Sequence, residues 1–348
     1  MDFPLSRKRA GLSVRLFVLL ISLTFVQRCQ PNLDCRTEDA FCSTEAGILL
    51  VNALQPPTEW VATGVNGAAA YSIDSGLTWT PVSTPGTEEF RGVATDGTGR
   101  WVATGDNGEA MVSTDQGKTW SFSSSPITGS LLDVVWNGEG RWIATGNSGI
   151  PDRAAYSTDG GDTWTEVIPG TGGTMRGIAF DGIGRLIIVG GTGASLCAYS
   201  DTDGDTWNAC TISTGVSMYA VATDGAGNWV AVGVSDWVAY SNDNGLTWTP
   251  LNSGTGTSFR DIAYAGNGRW IAVGVGGAGA YSDDNGASWT ALDTGAGVNV
   301  NAIACGRVFC IGVGNDDVLV RTFDRGVSWE VYSTGTGEIM YGIGVHIP

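Results

Sequence analysis

Lysine and histidine are almost missing from this chain of 348 residues: Lys8 and Lys118 are its two lysines and His346 its one histidine. Charged residues make up 15% of the sequence, and 35 acidic residues against 18 basic ones leave a net charge of −17. A surface so poor in cations cannot form a basic stripe for nucleic acid. With one imidazole there is no histidine cluster for a metal and no serine–histidine–aspartate triad. Long apolar runs are also lacking. The run from Leu16 to Val26 covers eleven residues, whereas a spanning helix needs about 20. Glycine and tryptophan, by contrast, are plentiful at 53 and 14 residues, within a hydrophobic content of 42%. Average usage would make glycine only about 7%, so the excess requires many tight turns. Together with tryptophan, threonine and valine it points to an all-β protein.

The basic residues Arg7, Lys8, Arg9 and Arg15 precede the run Leu16 to Val26, the pattern of a secretory signal. Residues 1–28 are therefore expected to be a signal peptide, and 29–54 a linker to the domain that follows. Cys29 comes directly after the apolar run, as in a bacterial lipoprotein signal, but Arg28 stands where that signal takes a small residue. Lipidation of Cys29 and simple cleavage are both open. Loss of residues 1–28 leaves 13 basic and 34 acidic residues, a net charge of −21. Such a protein is expected to be periplasmic, on the cell surface or secreted, to avoid polyanions and anionic lipid, and to be a monomer. Apart from Cys29, six cysteines form three local pairs, Cys35–Cys42, Cys197–Cys210 and Cys305–Cys310, consistent with disulfides in an exported chain. A bridge with the middle spacing would stabilise the fold by about 3 kcal/mol.

A seven-fold repeat organises the remainder. The segments YSIDSGLTWT, VSTDQGKTWS, YSTDGGDTWT, YSDTDGDTWN, YSNDNGLTWT, YSDDNGASWT and RTFDRGVSWE each end one residue beyond a tryptophan, Trp79, Trp120, Trp164, Trp207, Trp248, Trp289 and Trp329, at intervals of 41, 44, 43, 41, 41 and 40 residues. Upstream of each lies a second phrase: WVATG twice, then WIATG, LIIVG, WVAVG, WIAVG and VFCIG. A third phrase, of the type RGVATDGTGR, precedes six of these. Short β-branched runs between glycine turns, repeating at about 40 residues, describe the four-stranded blades of a β-propeller. The first repeat lacks its leading phrase, while MYGIGVHIP at the other end is a copy without a repeat. The two are expected to pair, closing a seven-bladed ring over residues 55–348 and leaving no open sheet edge.

The phrase S-x-D-x-G-x-[ST]-W resembles the Asp-box of sialidase-like propellers. A motif copied in every repeat reads as a fold element, its Asp and Ser bonding the turn backbone and its Trp anchoring the turn in the core. In the fourth copy Thr202 replaces the Asp, and Asp201, Asp203 and Asp205 alternate around Gly204 like the opening of a calcium loop without its distal Glu. Calcium there is the one candidate cofactor; otherwise none is expected. The whole unit also resembles a compact seven-bladed family that includes photosystem II assembly and stability factors, with Arg91, Arg176 and Arg260 at its leading arginine. Arg100, Arg141, Arg185, Arg269 and Arg307 occupy a second repeated place. That resemblance implies a non-catalytic assembly or scaffold factor gripping a protein or peptide with an arginine-bearing face.

Positions that vary at one place in the repeat are the best functional candidates, because the scaffold does not require them. The residue expected just before the innermost strand of each unit is Arg91, Leu132, Arg176, Tyr219, Arg260, Asn301 or Tyr341, and these are expected to ring one mouth of the channel as an anion-binding or carboxylate-binding site. Alternatively each Arg pairs with a nearby acid such as Glu88, Glu89 or Asp261. Trp237, at a hairpin tip, is a candidate stacking platform for a sugar or a local packing lid, and the insertion Ile150 to Arg153 breaks the symmetry of the ring. The competing function is a glycan-binding or glycan-cleaving propeller, with Arg91, Arg176 and Arg260 as a carboxylate clamp, Tyr341 as nucleophile and Glu88 as acid. The sialidase F/Y-R-I-P motif is not matched by Phe90, Arg91, Gly92, Val93. A hydrolase predicts a deep pocket with a carboxylate of raised pKa; a binding protein predicts a shallow charged face.

Overall fold

A computed structural model describes residues 57–123, 127–147, 153–191, 196–307 and 309–347, all within the unit Gln55–Pro348. The expected signal peptide, Cys29, the Cys35–Cys42 pair and most of the Ile150 to Arg153 insertion lie outside the described residues. The strands form seven four-stranded antiparallel sheets. In six blades the strands follow one another in chain order from the channel outward. In the first blade the innermost strand is Met340–His346, paired with Glu59–Gly64 through Trp60 with Val345 and Ala62 with Ile343. The ring is closed by its last strand, as the unpartnered phrases at the two ends require.

Each second strand is buried along its whole length in blades two and four to seven, because the sheet on either side covers one of its faces. Trp60, Trp101, Trp142, Trp229 and Trp270 stand at equivalent places on these strands and are fully buried. The core is divided into seven seams, one between each pair of blades. Val102, Val112, Leu131, Trp142 and Trp164 fill one of them, and Trp60, Ile311, Leu319 and Met340 fill the seam where the ends of the ring meet. The outermost strands are largely exposed.

The seventh repeat departs from the register read in the sequence. Its second strand is Cys310–Gly314, so the phrase equivalent to WVATG is CIGVG and not VFCIG. Cys310 takes the tryptophan position and is bonded to Cys305, and Cys197 is bonded to Cys210 across a strand pair. Arg307 therefore does not share the place of Arg100, Arg141, Arg185 and Arg269, which directly precede the second strand.

The Asp-box is a turn lock. In the third blade Ser157 Oγ accepts from Gly161 N at 2.8 Å, Asp159 Oδ1 accepts from Thr163 N at 2.9 Å, and Trp164 Nε1 donates to the Gly161 carbonyl at 3.1 Å. Gly161 has φ +90°, a left-handed conformation in which a side chain is strained. Thr202 reproduces the bond of the missing Asp, accepting from Thr206 N at 2.9 Å. Four arginines then tie neighbouring blades by donating to the next turn: Arg100 to Gly160 O, Arg141 to Asp203 O, Arg185 to Asn244 O and Arg269 to Arg325 O, at 2.6–3.1 Å. Three of them also lie over Tyr156, Tyr199 and Tyr281. This second arginine series is a set of staples and not a free face.

A chain ending at Ile339 loses the closing strand, uncovers Glu59–Gly64 and opens one seam. Met340 alone contributes about 1.5–3 kcal/mol by burial. We expect the truncated chain to show no cooperative thermal transition by circular dichroism. A cooperative melt within a few degrees of the full-length protein would show that the ring does not need this strand.

Candidate functional site

Register in the innermost strands slips at one place in every blade. Phe90 pairs with Gly105 and Gly92 with Thr104, so Arg91 is an extra, unpaired residue. The same slip leaves out Leu132, Arg176, Tyr219, Arg260, Asn301 and, in the closing strand, Tyr341. Such a bulge bends the strand and re-aims a side chain. These seven residues are the ones read from the sequence as the ring, and they line one cavity of about 190 Å³ at the channel mouth. They lie within the strands and not just before them. The bulge also explains the glycine that ends each second strand: a Cβ on Gly146 would stand 2.0 Å from the Ser130 carbonyl.

The three arginines of the ring are not equivalent. Arg91 is neutralised by Glu89 and by Asp106, 3.1 Å from its Nε, and lies over Tyr341. Arg176 lies over Tyr219, 4.9 Å from the ring centroid, and has no hydrogen bond or ion pair among the described residues; Arg260 has none either. The Nε atoms of both are buried without an acceptor. The cause is one position in the repeat. The residue after the second-strand glycine faces the bulge, and it is Asp106 opposite Arg91 and Asn315 opposite Asn301, with Asn301 Nδ2 donating to Asn315 Oδ1 at 2.9 Å. Opposite Arg176 and Arg260 the corresponding residues are Gly191 and Val275, which offer no side-chain acceptor. Pairing with nearby acids thus holds for Arg91, through Glu89, and fails for the other two. Asp261 is not a partner of Arg260.

Below the mouth a second cavity of about 120 Å³ is lined by the ring residues again and by the next residues of six of the strands. Across the seven strands this next place holds Gly92, Gly177, Ala220, Ala302 and Gly342 and the two acids Asp133 and Asp261. Asp133 accepts from Val134 N at 2.8 Å and from Ile178 N of the next blade at 3.0 Å. Asp261 does the same with Ile262 N at 2.8 Å and Ile303 N at 2.7 Å. Burial pushes each carboxyl up to about 7 against the pull of these amides, and the charge of Asp133 raises Asp261 further. Sequence reasoning missed this pair as a feature of the channel. The available signal was an acid at a place where five of seven repeats carry Gly or Ala.

The remaining candidates do not converge on this site. Trp237 is half-buried at the start of the strand Trp237–Ser241 and does not line the channel, and neither does Glu88. Asp201 pairs with Arg185, Asp203 accepts from Asn137 Nδ2, and Asp205 pairs with Arg141. These three carboxylates are drawn to three different partners, and no group of three His, Cys, Asp or Glu side chains among the described residues could hold a metal ion.

The model for the BNR/Asp-box repeat matches residues 111–122 and 155–166, two of the seven turn locks. The chain is a seven-bladed Asp-box propeller. Among solved structures this Asp-box propeller is similar to YCF48 bound to D1 peptide, with 20% identity and a TM-score of 0.62 over 77% of this chain and 88% of that one. It is also similar to YCF48 from Cyanidioschyzon merolae, with 20% identity and a TM-score of 0.60 over 76% and 91%. A nidogen/laminin complex is similar at 10% identity, with a TM-score of 0.54 over 83% and 98%. No curated protein matches the sequence. The resemblance to photosystem II assembly factors is upheld, and at these identities it is a likeness of fold.

The channel acids give the Asp-box propeller a distinctive pH dependence. Their folded pKa of about 7 lies above the ordinary 3.8, so between these values the folded state holds protons that the unfolded state has released. Stability from this source falls as pH rises through that window. The turn-lock acids act oppositely and lower: Asp159, drawn down to about 2 by its Thr163 hydrogen bonds, loses its contribution as pH falls below 3.8. We expect the melting temperature to decline between about pH 4 and pH 7, and the decline to be shallower in an Asp133→Asn/Asp261→Asn variant. Equal slopes in differential scanning calorimetry would contradict the shifted values.

Proposed function

We propose that this propeller is an exported, non-catalytic assembly or scaffold factor that binds a protein or peptide partner by an acidic group entering the channel mouth. The observation that carries this reading is the pair Arg176 and Arg260. On a chain with a net charge of −17, these guanidiniums have no acid of their own among the described residues, while Arg91, Arg100, Arg141, Arg185 and Arg269 all do. Uncompensated guanidiniums in a concave, partly desolvated place are strong receptors for a carboxylate. Tyr219, Tyr341 and Asn301 complete the rim. The similar propeller bound to D1 peptide is a precedent for a peptide ligand on this fold, and the two disulfides favour an oxidising compartment.

The raised carboxyls of Asp133 and Asp261 favour a second reading, glycan cleavage by paired acids. Two features weigh against it. Both oxygens of each acid are held by backbone amides, one from its own strand and one from the next blade, and cavities of about 190 and 120 Å³ are small beside the roughly 300–1,000 Å³ of typical ligand pockets.

In a pull-down from envelope extract of the source organism, an Arg176→Ala/Arg260→Ala variant with a native circular dichroism spectrum is expected to lose its partner. Each charged hydrogen bond removed costs about 1.5–3 kcal/mol, so affinity falls about tenfold or more. Arg91→Ala, whose charge is already neutralised, is expected to do less. Equal capture by the double variant would overturn the reading, as would Arg91→Ala being the more damaging change.

A further inference from the structure

The upper tier of the channel offers donors without acceptors, and the lower tier offers the reverse. Because the bulge places two consecutive side chains in the channel wall, Arg260 and Asp261 both line it, one step apart. Asp133 belongs to the third blade and Asp261 to the sixth, so they stand on opposite sides of a seven-membered ring. Each carboxylate oxygen accepts one backbone N–H, leaving a further lone pair per oxygen. Asn301 supplies an independent observation. It is 8% exposed and lines both cavities; its Nδ2 donates to Asn315 Oδ1 and Met340 O, both at 2.9 Å, which fixes the amide orientation, and its Oδ1 is then buried with no donor.

We infer that the lower tier is an ammonium site, so that the channel as a whole recognises a carboxylate and a lysine ammonium presented together. An ammonium brings three donors and no acceptor, the complement of two half-used carboxylates and an unsatisfied amide oxygen. The step between tiers is one strand residue, about 3.3 Å, which the flexible four-carbon stem of lysine spans. The charges on the channel wall match such a ligand. Arg176 and Arg260 face its carboxylate, and Asp133 and Asp261 face its ammonium; Arg91 is already neutralised, and Tyr219 and Tyr341 stand on the rim. The inference rests on the reading of the upper tier given above, which it extends to the chemistry of the partner.

Three small probes separate the tiers on the full propeller: N-acetyl-lysine, which carries both groups, N-acetyl-norleucine, which lacks the ammonium, and N-acetyl-lysine amide, which lacks the carboxylate. N-acetyl-lysine is expected to bind about tenfold more tightly than N-acetyl-norleucine, the order of one charge-assisted hydrogen bond, and to lower the titration midpoints of the Asp133 and Asp261 carboxyl carbons in NMR. Asp133→Asn/Asp261→Asn is expected to bring the affinity ratio to about one while N-acetyl-norleucine binding is kept. If that variant does not fold, the midpoints in the unaltered protein read the same interaction. Equal affinities for the two acids, or midpoints unmoved at saturation, would overturn the ammonium site and leave the arginine tier standing. Failure of N-acetyl-norleucine alone would count against the arginine tier, and failure of the amide probe as well would overturn both.

Discussion

One extra residue at the head of each innermost strand governs this molecule. Without it the strand pairs in simple alternation, and the side chains now directed at the channel would be distributed between the two faces of the sheet. With it, seven blades deliver seven variable side chains to one mouth, and six of them also place the following residue in the tier beneath. The same slip drives a carbonyl against the end of the second strand, so that only glycine fits there, as at Gly146 and Gly190. Scaffold and site are therefore set by one feature, and the glycine-rich composition is in part its consequence.

The distribution of charge follows from how the ring is held. A propeller blade contacts only its neighbours, and its turns must be fixed from outside as well as from within. The Asp-box acids fix the turns from within by accepting backbone amides, and Arg100, Arg141, Arg185 and Arg269 fix them from the adjoining blade. Four of the twelve lysines and arginines among the described residues are committed in this way. What distinguishes Arg176 and Arg260 is the loss of one acceptor, where Gly191 and Val275 replace the acid that Arg91 finds in Asp106. The uncompensated pair arises by omission at a single repeat position.

Much of this was legible in the sequence because repetition separates scaffold from variation. The tryptophan spacing gave the blade count, the orphan phrases at the two ends gave the closure, and the column of Arg91, Leu132, Arg176, Tyr219, Arg260, Asn301 and Tyr341 gave the mouth. What escaped depended on contacts between columns. Which arginine is paired is decided fifteen residues downstream, across a turn whose approach to the bulge is three-dimensional. Asp133 and Asp261 were obscured among 35 acidic residues, since nothing local marks an acid as facing a channel. The seventh repeat misled for a physical reason: a disulfide at Cys310 takes the place of the tryptophan that marks the register elsewhere.

The central claim is that Arg176 and Arg260 are held uncompensated at the channel mouth and the staple arginines are not. Arginine Nε–H resonances in heteronuclear NMR report this directly when the propeller is titrated with acetate as the simplest carboxylate. The account predicts that the resonances of Arg176 and Arg260 move and saturate together while those of Arg100, Arg141, Arg185 and Arg269 stay in place. Uniform small shifts across all arginines, or movement of the staples with the ring unmoved, would contradict it.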